Sequence, residues 1–86
     1  MASAGELRQQ VQQAKQEIDD SLGALKQGRD SLEGAQQTLQ QAGDGSSQGD
    51  FDQAVATLAG AISAIDDAMN QVNAASNEAD GIAARL

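Results

Sequence analysis

Large aliphatic side chains recur at every seventh position through the first half of the chain. This column, which we label a, consists of Ala4, Val11, Ile18, Leu25, Leu32 and Leu39. Three positions further on stands a second column of mostly small residues, labelled d: Leu7, Ala14, Ser21, Gly28, Ala35 and Ala42. Two columns with this spacing are typical of a helix that packs lengthwise on another helix.

The second half of the chain repeats both columns. Column a continues as Phe51, Leu58, Ile65, Val72, Ala79 and Leu86, and column d continues as Ala54, Ala61, Ala68, Ala75 and Ile82. The chain contains no Pro, and strong helix formers dominate it. The pattern therefore predicts two long α-helices, over about 4–42 and 51–85.

Residues near the predicted helix ends have side chains suited to capping. Ser3 followed by Glu6, and Asp50 followed by Gln53, each match a capping box, in which a side-chain oxygen accepts a hydrogen bond from an unpaired backbone N–H group. We expect Gly43 to end the first helix, because glycine readily adopts the left-handed backbone conformation. These signals support the two predicted helices.

The two columns also predict how the helices pair. If the chain folds back at the middle of the loop, facing residues have numbers that add to 93, and each member of column a meets a member of column d. Leu39 then faces Ala54, and Leu32 faces Ala61. One bulky residue would thus pack on one small residue in successive layers. The prediction is an all-α fold, an antiparallel two-helix hairpin with an Ala-rich seam, forming a single domain over 1–86.

Further apolar residues follow column d by one position, in a column labelled e. In the second helix they are Val55, Ile62 and Met69, and in the first helix Leu22 holds the equivalent position. Arg8, Lys15 and Arg29 share this column, and so they flank the same side. The pattern predicts that these seven residues bind a protein partner, with the basic residues either meeting acids of that partner or solubilising the edge of the face. The simplest partner is a second copy, which gives a homodimeric four-helix bundle.

Composition excludes several classes of function. The 86 residues include 13 acids and 5 bases, for a net charge of −8, which disfavours binding to nucleic acid or to an anionic membrane. The most apolar run, AVATLAGAISAI at 54–65, is too short to span a bilayer. With no His, Cys or Tyr, the chain lacks the usual nucleophiles and proton shuttles. We therefore expect no enzyme activity and no cofactor.

The segment GDGSSQGDFD, at 43–52, resembles a calcium-binding loop in part. Asp44 would occupy the first ligand position of an EF-hand, and Gly49 its turn. The twelfth position, which needs a bidentate Glu, holds Val55 instead. Phe51 and Ala54 also belong to the helical columns. The sequence therefore predicts a hinge between helices and no metal site.

Length, two helices rich in Ala and Gln, and a Gly/Ser turn together resemble the small helical-hairpin proteins of actinobacteria, including substrates of type VII secretion. The resemblance covers the whole chain and concerns architecture alone. The family's Trp-x-Gly turn is absent from GDGSSQGDF, and its Tyr-x-x-x-acid signal is absent because the chain has no Tyr. No functional residue is carried over from that family.

The expected function is therefore that of a non-enzymatic protein–protein interaction module, which self-associates or binds a larger helical protein. The alternative, implied by the resemblance, is an exported effector or effector partner of the type VII kind. The opening MASAGELRQQ lacks a basic segment followed by an apolar core, so no secretory signal is predicted. We expect a cytoplasmic protein, with export independent of a signal peptide as the alternative.

Overall fold

Two antiparallel α-helices form the fold. The computed structural model describes residues 3–43 and 48–86. Helix α1 spans Ala4–Gly43 and helix α2 spans Gln48–Arg85. The two helices pack against each other along their length, and Arg8 near the start of α1 contacts Leu86 at the end of the chain. The predicted all-α antiparallel hairpin is confirmed.

The hairpin is long and thin. It measures 65 × 18 × 15 Å, and its radius of gyration is 19.4 Å. A compact globular domain of this length would have a radius of gyration of about 12 Å. Two helices side by side give each residue fewer neighbours than a globular core does, so most side chains stay partly exposed.

The helix ends agree with the sequence prediction at one end and differ at the other. The backbone N–H of Glu6 donates a hydrogen bond to the Ser3 hydroxyl oxygen at 3.1 Å, which confirms the predicted Ser3 cap. Helix α2 begins at Gln48, three residues before the predicted Phe51, so Asp50 lies in its first turn and not at its cap. Asp50 there, and Arg85 in the last turn, still offset the helix dipole.

Helix α1 ends at Gly43 as predicted, but without the predicted left-handed conformation. The φ angle of Gly43 lies outside the left-handed region, so backbone freedom does not explain the glycine. A Cβ placed on Gly43 would lie 3.0 Å from Cβ and 3.1 Å from Cγ of Phe51. A side chain at residue 43 would therefore require Phe51 to shift by a few tenths of an ångström. The predicted hinge itself falls on residues 44–47, which lie outside the described residues.

Columns a and e line the seam between the helices, which corrects the prediction that columns a and d do so. The core residue Ile62, from column e, is 9% exposed. The adjacent column d residue Ala61 is exposed, as are Ala35 and Ala75. The helices are therefore rotated so that the larger residues of column e, and not the alanines of column d, face the opposite helix.

The register is shifted accordingly by one residue. The contacts Gly43–Phe51 and Arg8–Leu86 join numbers that add to 94. The longer contacts Lys15–Asp80, Arg29–Asp66 and Gln36–Val55 add to 95, 95 and 91, so the sums centre on 94 instead of the predicted 93. This register places Leu32 level with Ile62. Fully burying an aliphatic side chain such as Ile contributes about 1.5–3 kcal/mol, whereas a single methylene contributes about 0.8 kcal/mol. Total buried apolar area, and not constant volume per layer, thus determines how the helices rotate.

Candidate interaction faces

The apolar residues predicted to bind a partner pack inside the hairpin instead. Ile62 is buried, while Leu22, Val55 and Met69 are half-buried. All four belong to column e, which faces the opposite helix. Their predicted position outside the seam is wrong, because the hairpin covers its own largest apolar residues before any second chain is added.

The basic residues of column e pair with acids of the same chain. The Arg29 guanidinium donates to Asp66 through Nε at 2.6 Å and to Glu33 through Nη1 at 2.6 Å. The hydrogen bond that Arg29 donates to Asp66, and then the charge of that carboxylate, raises the pKa of Arg29 above its ordinary value. Asp66 thus lies on the side of α2 that Arg29 can reach.

Lys15 and Arg8 make similar cross-helix contacts nearer the open end of the hairpin. Lys15 forms an ion pair with Asp80, and the hydrogen bond that it donates to that carboxylate raises the pKa of the lysine. Arg8 donates through Nη2 to the backbone oxygen of Leu86 at 2.6 Å. Each predicted partner-binding cation thus has an acceptor within its own chain, and together they tie α1 to α2.

These ion pairs lie on one side of the hairpin, which we call the charged face. It is formed by the residues that follow column a, together with the basic residues of column e. Its charged members are Arg8, Lys15, Asp19, Lys26, Arg29, Glu33, Asp52, Asp66 and Asp80. A polar groove of about 440 Å³ on this side is lined by Gln12, Lys15, Gln16, Asp19 and Asp20.

The opposite side of the hairpin, which we call the uncharged face, is formed by column d of both helices. In an antiparallel pair related by an approximate two-fold axis, equivalent columns of the two helices lie on the same side. The face therefore combines the residues Leu7, Ala14, Ser21, Gly28, Ala35, Ala42, Ala54, Ala61, Ala68, Ala75 and Ile82, none of which carries a charge. Sequence reasoning missed this face because it assigned column d to the seam. The available signal was that neither half places a charge in this column.

Each end of the uncharged face has a distinct shape. At the open end, Leu7 and Ile82 are 38% and 44% exposed, and they are the large hydrophobic residues that stand out to solvent among the described residues. At the other end is a groove of about 500 Å³, whose lining is Leu39, Asp50, Gln53, Ala54, Thr57 and Leu58. The open end of the face thus projects bulky apolar side chains, whereas the end next to the loop is concave.

Hydroxyl groups on and beside the uncharged face are satisfied by the hairpin itself. Ser21 donates to the carbonyl oxygen of Glu17 at 2.9 Å. Thr38 donates to Gly34, and Thr57 donates to Gln53, each at 3.0 Å. Burying a hydroxyl is costly when it loses its hydrogen-bond partner. These three hydroxyls would keep their partners if another protein covered the face.

Within residues 3–43 and 48–86, no three side chains of His, Cys, Asp or Glu come together in a way that could hold a metal ion. Neither of the two described helices combines the length and apolar character required to cross a membrane. Comparison of the chain with protein-family models, with curated proteins and with solved structures gives no match.

Proposed function

We propose that the protein is a non-enzymatic protein–protein interaction module that works as a homodimer, with two hairpins packed through their uncharged faces into a four-helix bundle. The proposal keeps the function expected from the sequence. It moves the interface from column e, which the hairpin covers itself, to column d.

The observation that carries this proposal is the large surface that the hairpin leaves exposed. Its accessible surface is 5969 Å² for a mass of 8.8 kDa. A compact monomer of that mass would expose about 4,800 Å², so the excess is roughly 1,200 Å². A standard interface buries about 800 Å² on each partner. Packing one 65 × 18 Å side of the hairpin against another protein covers an area of that order.

The chemistry of the uncharged face favours a helical partner with the same kind of surface. Small side chains let helix axes approach to about 8 Å, the low end of the usual range. A charged partner would find no opposite charge in column d, and its own charges would be desolvated without compensation. A second copy of the same face avoids this cost, and such self-complementary contacts are the commonest form of protein oligomer.

Light scattering on the purified protein tests the proposal. We expect a mass of twice 8.8 kDa. Ala61→Glu places a charge on the uncharged face and should yield a monomer that keeps its helicity, because Ala61 is exposed within the hairpin. Ala74→Glu is the matched control, since this exposed alanine lies on the side of α2 away from the seam. A monomeric unsubstituted protein, or an equal effect of both variants, would contradict the proposed function.

A further inference from the structure

We infer that the two hairpins of this dimer run antiparallel, with the open end of each lying on the loop end of the other and with Ala68 on the two-fold axis. The inference rests on the proposed function and adds the direction and register of the pairing. Three features of the uncharged face support it: the shapes of its two ends, the sequence of column d, and the charges at the ends of α2.

The projecting and receding ends of the uncharged face occur at mirrored positions. Ile82, which projects to solvent, lies 14 residues after Ala68, and Ala54, in the lining of the groove, lies 14 residues before it. At 1.5 Å of rise per residue, both lie about 21 Å from Ala68 along α2. Laying one hairpin antiparallel on another about Ala68 therefore places Ile82 of each copy over the groove of the other.

Column d also matches its own reversed order. In α2, the reversal sets Ile82 against Ala54 and Ala75 against Ala61, and it leaves Ala68 against Ala68 of the second copy. The bulky member of this column in α2 thus meets alanine, and every other pair in α2 is small. Backbones that are this free of bulk can approach closely along α2.

Charges at the ends of α2 agree with this direction. Asp50 lies in the first turn of α2 and Arg85 in its last turn, and both are exposed. Neither takes part in the ion pairs formed within the described residues. Both residues border the same edge of the uncharged face. Asp50 lies four positions before Ala54 of column d, and Arg85 lies three positions after Ile82 of column d. Antiparallel packing of α2 on α2 brings Asp50 of one copy to Arg85 of the other, twice per dimer.

Disulfide trapping tests this register. The chain has no Cys, so a single substitution supplies the only thiol. A disulfide requires Cα atoms about 4.4–6.8 Å apart, which helices packed through alanine at a two-fold axis satisfy. We expect the Ala68→Cys variant to form a covalent dimer under mild oxidation and to run at twice its mass without reductant. Ala74→Cys, on the outward side of α2, should remain uncrosslinked under the same conditions.

A parallel pairing would give a different result and would overturn the inference. It would place Ala68 over Gly28 of the second copy, so a mixture of Ala68→Cys and Gly28→Cys proteins would form the mixed disulfide while Ala68→Cys alone would not link. A protein that is dimeric by light scattering but gives no Ala68→Cys disulfide also overturns the antiparallel register, and it leaves the proposed function standing. A monomeric protein removes the proposed function itself.

Discussion

The charged and uncharged faces are built on the same two helices, yet they differ in how their polar groups are used. On the charged face, Arg29 and Lys15 reach across the seam to Asp66 and Asp80 and hold α1 to α2. On and beside the uncharged face, the hydroxyl groups of Ser21 and Thr57 donate to carbonyl oxygens of their own helices. One face is stabilised by contacts within the chain, and the other is left able to accept contacts from outside.

This difference explains how a hairpin with so small a core can present a specific surface. Ile62 is the one large apolar residue among those described that is nearly removed from solvent. Exposed ion pairs contribute little individually, typically about 0–1 kcal/mol. The charged face therefore adds direction and register more than stability. The uncharged face, with its alanine and its hydroxyls already bonded, loses little when it is desolvated.

The largest predicted effect distinguishes Ile62, in the seam, from the adjacent residue Ala61, on the uncharged face. Ile62→Asp places a charge in the core, where loss of the apolar side chain alone costs about 2–5 kcal/mol, a large part of the stability of a small domain. We expect the variant to lose most of its helical circular dichroism at 25 °C. Ala61→Asp, one position earlier and exposed, should lose the dimer but keep its helicity. Equal loss of helicity in both variants would contradict the assignment of column e to the seam.

The sequence predicted the architecture from signals that depend on spacing. Column a, the absence of Pro and the cap at Ser3 were sufficient to place two helices. The polar loop between two halves with the same columns predicted their antiparallel pairing. The rotation of the helices about their axes was not predicted correctly, since columns d and e differ by one position. Choosing between them required comparing the area buried by Val55, Ile62 and Met69 with that buried by alanines. The apolar area buried by the large residues of column e outweighs the regular alternation of large and small residues that column d would give.

The role of individual end residues was harder to predict, because it depends on distances across the hairpin. Gly43 ends α1 as the sequence suggested, but its conformation is not left-handed and its backbone lies close against Phe51. The basic residues of column e were predicted to meet acids of a protein partner or to solubilise the edge of the face. Their pairing with Asp66, Asp80 and the backbone of Leu86 follows only once the register is known to within one residue.

A smaller effect should show that no other part of the same hairpin packs on the uncharged face. A Cβ added at Gly28, on that face, or at Gly60, on the outward side of α2, would meet nothing within 4 Å. Alanine is favoured over glycine inside a helix by about 0.8–1.0 kcal/mol. In the monomeric Ala61→Glu background, we expect Gly28→Ala and Gly60→Ala to raise the free energy of unfolding by similar amounts in urea titrations. A loss of stability with Gly28→Ala alone would mean that column d is packed within the chain.

The smallest effect concerns the charged face, and it appears at alkaline pH. Asp80 raises the pKa of Lys15 in the folded state above the ordinary value of 10.5, so the ion pair stabilises the fold fully below that pH. The stabilisation is lost as the pH rises through the folded-state pKa and the lysine becomes neutral. Unsubstituted protein should therefore melt above Lys15→Met protein at pH 7, and the difference should disappear at strongly alkaline pH.

The composition of the chain makes this small difference measurable. No Tyr, Cys or His titrates in the same range, and Lys26 is the other lysine of the chain. Lys26→Met removes the same charge from an exposed position on the same face, so it reports the effect of net charge alone. Subtracting its melting shift from that of Lys15→Met isolates the contact with Asp80. If the two variants show the same dependence on pH, the ion pair between Lys15 and Asp80 does not stabilise the fold. The charged residues of this face then serve only to keep it solvated.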